Sequence, residues 1–133
     1  MQYDPENGNR KLRVLVVDDH RDSANALAWV LHNIGHQVRT AYDAASALRA
    51  FDELSPEVVF QDLLHPCSDG GIRIAREIRK RNRSASAFLV GMSGTLDATL
   101  RDSEWDAFDH VILKPVGLEQ LNDTLNKARV RAG

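Results

Sequence analysis

The sequence is poor in cysteine: Cys67 is the single thiol in 133 residues. One thiol cannot build an internal disulfide framework, and its presence alone fits a reducing compartment. Long apolar runs are also missing. Val14 to Val17 is typical of the longest, far short of the roughly 20 residues a membrane-spanning helix needs. Residues 1–11 lack the apolar core of a secretory signal and read as a polar tail. Neither charge sign dominates: Lys+Arg total 17 and Asp+Glu 19, a formal charge of −2. That balance argues against a nucleic-acid face over the whole domain, and no direct nucleic-acid or membrane partner is expected. No internal repeat, low-complexity tract or linker appears. What remains is a small cytoplasmic domain. At roughly 100–200 residues per domain the chain is a single one, with no room for a second module.

Five strand signals and five helix signals follow one another along the chain. Leu12 to Val17 is a β-branched run that ends in Asp18-Asp19 and predicts a buried strand. Residues 22–34 place Leu27, Val30, Leu31 and Ile34 at helical spacing before Gly35. Residues 37–40 form a short strand. Asp43 can cap a helix running to Leu54, which Pro56 stops. Residues 57–61 make a third strand ending at Asp62. A loop containing Pro66, Gly70 and Gly71 precedes a helix over 72–82. Residues 87–92 form a fourth strand ending at Ser93-Gly94, and 96–104 a weak helix. Residues 110–113 form a fifth strand ending at Lys114-Pro115, and 117–130 the last helix. Strand and helix thus alternate between 12 and 130. This predicts an α/β fold, a doubly wound parallel five-stranded sheet with few allowed topologies, the flavodoxin-like (βα)5 order 2-1-3-4-5 among them.

In such a sheet, ligands bind beyond the carboxyl ends of the strands, where the strand order reverses. Asp18 and Asp19, Asp62, Ser93 and Lys114 stand at four of those ends. Clustered carboxylates repel unless a cation sits among them. Oxygen ligands select a hard ion such as Mg2+. Carboxylates for a metal, an ammonium and a hydroxyl together suit phosphoryl transfer, with one carboxylate as nucleophile. Position favours Asp62 for that role, since Asp18 and Asp19 form a pair suited to the metal.

These pieces resemble the response-regulator receiver domains of two-component signalling. The matching segments are Val-Val-Asp-Asp at 16–19, Gln-Asp-Leu-Leu-His-Pro-Cys-Ser-Asp-Gly at 61–70, Met-Ser-Gly at 92–94 and Leu-Lys-Pro-Val at 113–116. The resemblance covers 12 to 130, with 131–133 as a short tail. It implies a signalling switch, not a metabolic enzyme. Asp62 would accept a phosphoryl group from a histidine kinase or histidine phosphotransfer protein. Asp19 would bind Mg2+ directly, Asp18 largely through water, and Asp62 and the backbone carbonyl of Leu64 would complete the protein ligands. Ser93 would contact the phosphoryl group, and Lys114 would pair with it, followed by a cis peptide to Pro115. A partner's helical bundle would meet helix 1, where Trp29 is a candidate anchor. A weak homodimer is a further expectation.

The chain departs from the family pattern at several places. Val111 stands where an aromatic residue usually reports the movement of the Ser/Thr. Gln61 replaces an apolar residue before the aspartate, and Asp106-Ala107 replaces a common Ala-Gly. His65 and Ser68 stand where methionines are frequent. Val111 supports a competing reading, a receiver-fold binding module that signals without phosphate. A phosphatase with an aspartyl nucleophile would want a second acid at Leu64. A flavin-binding flavodoxin would want a Ser/Thr/Gly-rich loop where Asp18-Asp19-His20-Arg21-Asp22 stands. His20 and His65 read as exposed loop histidines, Cys67 as a passive loop residue, Trp105 as a packing residue, and the run Arg76, Arg79, Lys80, Arg81, Arg83 as a solvated face.

Overall fold

In the computed structural model, residues 11–63, 70–81, 87–94 and 107–132 are described. Five strands form one parallel sheet: β1 (Arg13–Val17), β2 (Gln37–Ala41), β3 (Val58–Leu63), β4 (Phe88–Ser93) and β5 (His110–Leu113). Their order is β2-β1-β3-β4-β5, so the chain reverses direction across the sheet between β1 and β3. Four helices are described: α1 (Arg21–Asn33), α2 (Ala44–Leu54), α3 (Gly70–Lys80) and α4 (Leu118–Ala132). Among the described residues no helix is long and apolar enough to cross a membrane. The weak helix expected over 96–104 lies outside them, as do Leu64, His65, Cys67, Ser68, Arg83, Trp105 and Asp106.

Side chains alternate between the two faces of a strand, and two cores follow from this. Leu15, Val17, Val59 and Leu89 face α2 and α3, where they meet Ala47, Phe51, Ala75 and Ile78. Val14, Val16, Val58, Phe60, Val90, Met92 and Ile112 face α1 and α4, where they meet Ala24, Leu31, Leu121 and Leu125. Each of those large side chains is essentially out of water, a gain of about 1.5–3 kcal/mol apiece before the entropy of ordering. Continuous apolar strands are the signature of a sheet buried on both faces.

The helix ends explain the boundaries. His20 caps α1: its Nδ1 accepts from the Ser23 amide at 3.3 Å, so the helix opens at Arg21, one residue before the sequence-based start. Gly35 follows it with φ +107, a backbone state open to glycine at no steric cost. Asp43 caps α2 as expected, accepting from the Ser46 amide at 2.7 Å. Ser55 closes that helix at φ 50, and Pro56 prevents its continuation. α3 starts at Gly70 rather than 72, so the glycine pair belongs to its first turn. β3 runs two residues past Gln61, because Asp62 and Leu63 keep pairing with Met92 and Ser93.

One reading of the sequence is corrected outright. Arg79 does not belong to a solvated face. Its guanidinium donates to the Ala107 carbonyl at 3.1 Å, the Ala87 carbonyl at 3.3 Å and the Asp109 carboxylate at 2.8 Å. Asp109 also accepts from the Leu89 amide at 2.8 Å. Arg79 therefore ties the end of α3 to the entries of β4 and β5. Arg81 is likewise engaged, with Asp52 of α2 at 2.9 Å.

Candidate functional site

Parallel register brings four strand ends together. Val17 lies beside Gln61, Asp62 beside Met92 and Leu63 beside Ser93, and Ser93 beside Leu113. Asp18 follows β1, anchored by its amide to the Ala41 carbonyl at 3.1 Å. Lys114 follows β5, anchored by its amide to the Ser93 carbonyl at 2.8 Å. The peptide from Lys114 to Pro115 is cis.

The side chains converge as the sequence suggested. Lys114 Nζ lies 2.5 Å from Asp62 Oδ1 and 3.4 Å from Asp18 Oδ2. Asp18 Oδ1 accepts from the His20 amide at 2.9 Å. Asp18, Asp19 and Asp62 each offer a carboxylate oxygen, and those oxygens lie within 4.8 Å of one another. Asp18 and Asp62 are buried, at 3% and 5% exposure, while Asp19 faces solvent. Ser93 is buried at the end of β4.

The electrostatics follow from this geometry. Burial pushes the Asp62 carboxyl above its ordinary range, the Lys114 hydrogen bond opposes this, and the charges of Asp18 and Asp19 add to the rise. Burial works against the Lys114 ammonium, but its hydrogen bond to Asp62 and the charges of Asp62 and Asp18 outweigh it and move it up. One ammonium is shared among several carboxylates, so both partners hold protons more tightly than they would alone. Oδ2 of Asp62 is buried without a hydrogen-bond partner among the described residues. A buried carboxylate oxygen left bare is costly, and a hard cation between Asp18, Asp19 and Asp62 would satisfy it. Donor type, spacing and the bare oxygen all fit Mg2+.

Other sequence candidates fall differently. His20 spends its Nδ1 on capping α1 and so is not simply a loop histidine. Trp29 is 68% exposed on α1. Val111 is half-buried against the α2/α3 core. Near it lies an aromatic that the sequence reading passed over. Phe108 packs on Gly91, where a Cβ would stand 3.3 Å from its Cγ. Gln61 is buried, with Nε2 donating to the Asp62 carbonyl at 3.4 Å and Oε1 unpartnered. Burial of the residue before Asp62 is what strand alternation demands; only its polarity is unusual.

The family model of the response regulator receiver domain matches residues 14–126. The chain is 33% identical over 117 residues to the transcriptional regulatory protein TrcR of Mycobacterium tuberculosis, covering 83% of this chain and 42% of TrcR. It is 31% identical over 117 residues to the sensor histidine kinase RcsC of Salmonella typhi, covering 88% of this chain and 12% of RcsC. The chain therefore spans less than half the length of these relatives. Among solved structures, a CheY-like receiver domain from Methylobacillus flagellatus aligns with TM-score 0.78 at 23% identity, over 89% of this chain and 98% of that one. At that identity the likeness speaks for the fold. NtrX of Brucella abortus aligns with TM-score 0.76 at 29% identity, over 91% of this chain and 28% of NtrX. With its strand order, its acidic pocket and a family match over most of its length, the chain belongs to the response regulator receiver domains of two-component signalling.

Proposed function

We propose that Asp62 accepts a phosphoryl group from a phosphohistidine of a histidine kinase or histidine phosphotransfer protein. A carboxylate oxygen of Asp62 attacks phosphorus, the P–N bond breaks, and its electron pair returns to the imidazole of the donor. The observation that carries this reading is the state of Asp62. It is buried, fixed through Oδ1 by Lys114, and bare at Oδ2 among the described residues. A carboxylate held this way is positioned and only partly neutralised, as a nucleophile in phosphoryl transfer requires.

Asp18, Asp19 and Asp62, with the backbone carbonyl of Leu64, are the residues assigned to hold Mg2+. When bound, the ion supplies positive charge for the phosphoryl oxygens. Lys114 pairs with another of those oxygens, and the Ser93 hydroxyl donates to a third. The exposed indole of Trp29 makes α1 the proposed docking side for the donor protein.

The test is Mg2+-dependent labelling by acetyl phosphate, read by intact mass or a Phos-tag gel. The wild type should gain one phosphate and Asp62→Asn none. Equal labelling of the variant would sink the assignment.

Val111 favours a second reading, in which the fold signals without a phosphate-driven change. Beryllofluoride with Mg2+ separates the two by amide NMR. Shifts confined to the strand ends would support the second reading; shifts reaching α3 and β5 support the first.

A further inference from the structure

A cavity of about 680 Å³ opens between α1 and α4 beside the carboxylate cluster. Val16 and Met92 of the sheet form its floor, with Leu27 and Val30 on one wall and Val116 and Leu121 on the other. Its volume is within the range of about 300–1,000 Å³ found for small-molecule sites. Walls of this kind accept an apolar body. The polar groups beside them decide what head that body carries.

Two charged side chains line the cavity, Asp18 and Lys114. Asp18 is closed to a ligand. Its side chain is 2% exposed and its Oδ2 lies 3.4 Å from Lys114 Nζ, while Oδ1 accepts from the His20 amide at 2.9 Å. Lys114 is open, with 31% of its side chain exposed. An ammonium carries three N–H donors. Lys114 directs two of them to Asp62 and Asp18, and the third has no acceptor among the described residues. The charged group left for a ligand is therefore a donor, and it calls for an acceptor.

The surroundings fix the charge of that acceptor. A cationic head offers no acceptor, and the charge it can reach repels it. An anionic head offers one, but the single positive charge of Lys114 is already divided between Asp62 and Asp18, with Asp19 in the same cluster. Burying another ion beside apolar walls also costs more than burying a carbonyl. An uncharged oxygen satisfies the donor and meets neither penalty.

We propose that this cavity binds an uncharged apolar compound bearing a carbonyl-type oxygen, its body between α1 and α4 and its oxygen on the third N–H of Lys114. Binding needs neither phosphate nor Mg2+, so this site and the phosphoacceptor reading can fail separately.

Three compounds with the same phenylethyl body make the test: benzylacetone, 4-phenylbutan-2-amine and hydrocinnamate, which carry a ketone, an ammonium and a carboxylate. Each is titrated in EDTA into the 15N-labelled protein. Benzylacetone should produce saturable shifts at the amides of Ala26, Val30, Val116 and Leu121 and at the Lys114 side-chain ammonium. Its affinity should exceed that of either charged compound by about tenfold or more, equivalent to about 1.4 kcal/mol. Ala26 is an exposed residue of α1 on the cavity rim. Ala26→Phe fills the space and should abolish the shifts; Val116→Phe serves if that variant does not fold. Absence of saturable shifts at low millimolar benzylacetone overturns the proposal. So does a charged compound that binds as tightly, an unmoved Lys114 ammonium, or unchanged binding by the filled variant. An amphipathic helical peptide that shifts these amides when benzylacetone does not would assign the cavity to a protein partner and overturn it too.

Discussion

Lys114 Nζ stands 2.5 Å from one carboxylate oxygen of Asp62 and leaves the other without a partner among the described residues. Removing the ammonium would leave Asp62 buried beside Asp18 with no cation at all. Breaking a fully buried pair costs about 3–5 kcal/mol; Lys114 keeps 31% of its side chain exposed, so we expect about 1–3 kcal/mol for Lys114→Met. Mg2+ should restore more stability to this variant than it adds to the wild type. Urea unfolding with Mg2+ and with EDTA measures both quantities. Equal stabilities in EDTA would show that the pair contributes nothing.

The raised Asp62 carboxyl makes a pH prediction with a definite sign. A carboxyl whose folded value lies above its unfolded one favours folding when protonated, and that contribution is lost as pH rises through the folded value. Without divalent cation, Asp62→Asn should therefore be more stable than the wild type at neutral pH. Its advantage should grow as pH rises above the ordinary value of 3.8 and shrink when Mg2+ is added. A variant less stable than wild type in EDTA at pH 7 would reverse the sign and refute the prediction.

His36 works in the opposite direction. Its Nδ1 accepts from the Leu12 amide at 3.1 Å, which requires the neutral ring. Burial, then the positive charge of Arg129, lowers it from 6.5 to about 4. The unfolded chain takes up a proton as pH falls through 6.5 and the folded one does not until about 4. Stability should fall across that window by up to about 3 kcal/mol. His36→Asn offers an acceptor that does not titrate. The difference between its unfolding free energy and that of the wild type should change between pH 7.5 and 4.5. A constant difference would exclude His36 as the source.

Gly91 is a packing requirement in a central strand. A Cβ there would stand 3.1 Å from Leu63 Cδ1 and 3.3 Å from Phe108 Cγ. Gly91→Val should cost about 1–3 kcal/mol by overpacking, although valine suits a strand. Phe108→Leu in the same molecule should recover part of that loss, giving a coupling of about 0.5 kcal/mol or more in a double-mutant cycle. Strict additivity of the two substitutions would place the clash elsewhere.

The sheet and its order were legible because apolar β-branched runs alternate with amphipathic stretches, and few parallel topologies accommodate that pattern. Asp18, Asp19, Asp62, Ser93 and Lys114 stood out as candidates because each closes or follows an apolar run in the sequence. The extension of β3 through Asp62 and Leu63 was not, since a carboxylate at a strand end gives no local sign of continued pairing. Arg79 was misread for a related reason. Two of its three acceptors are the carbonyls of Ala87 and Ala107, and any residue has a carbonyl, so a half-buried arginine held largely by backbone looks like a surface one.

Strand alternation also divides the site between the two layers of the domain. Asp18, Asp62 and Lys114 continue the face of Val16, Phe60 and Ile112, toward α1 and α4. Ser93 continues the face of Leu89 and Gly91, toward α2 and α3. In the function proposed above, a phosphoryl group on Asp62 would therefore meet Lys114 from one layer and Ser93 from the other. Displacement of Lys114 would disturb the layer of α1 and α4, whereas displacement of Ser93 would disturb the strand on which Phe108 rests. The sheet is thus a partition with one opening, and the proposed phosphorylation would act at that opening on both of its faces.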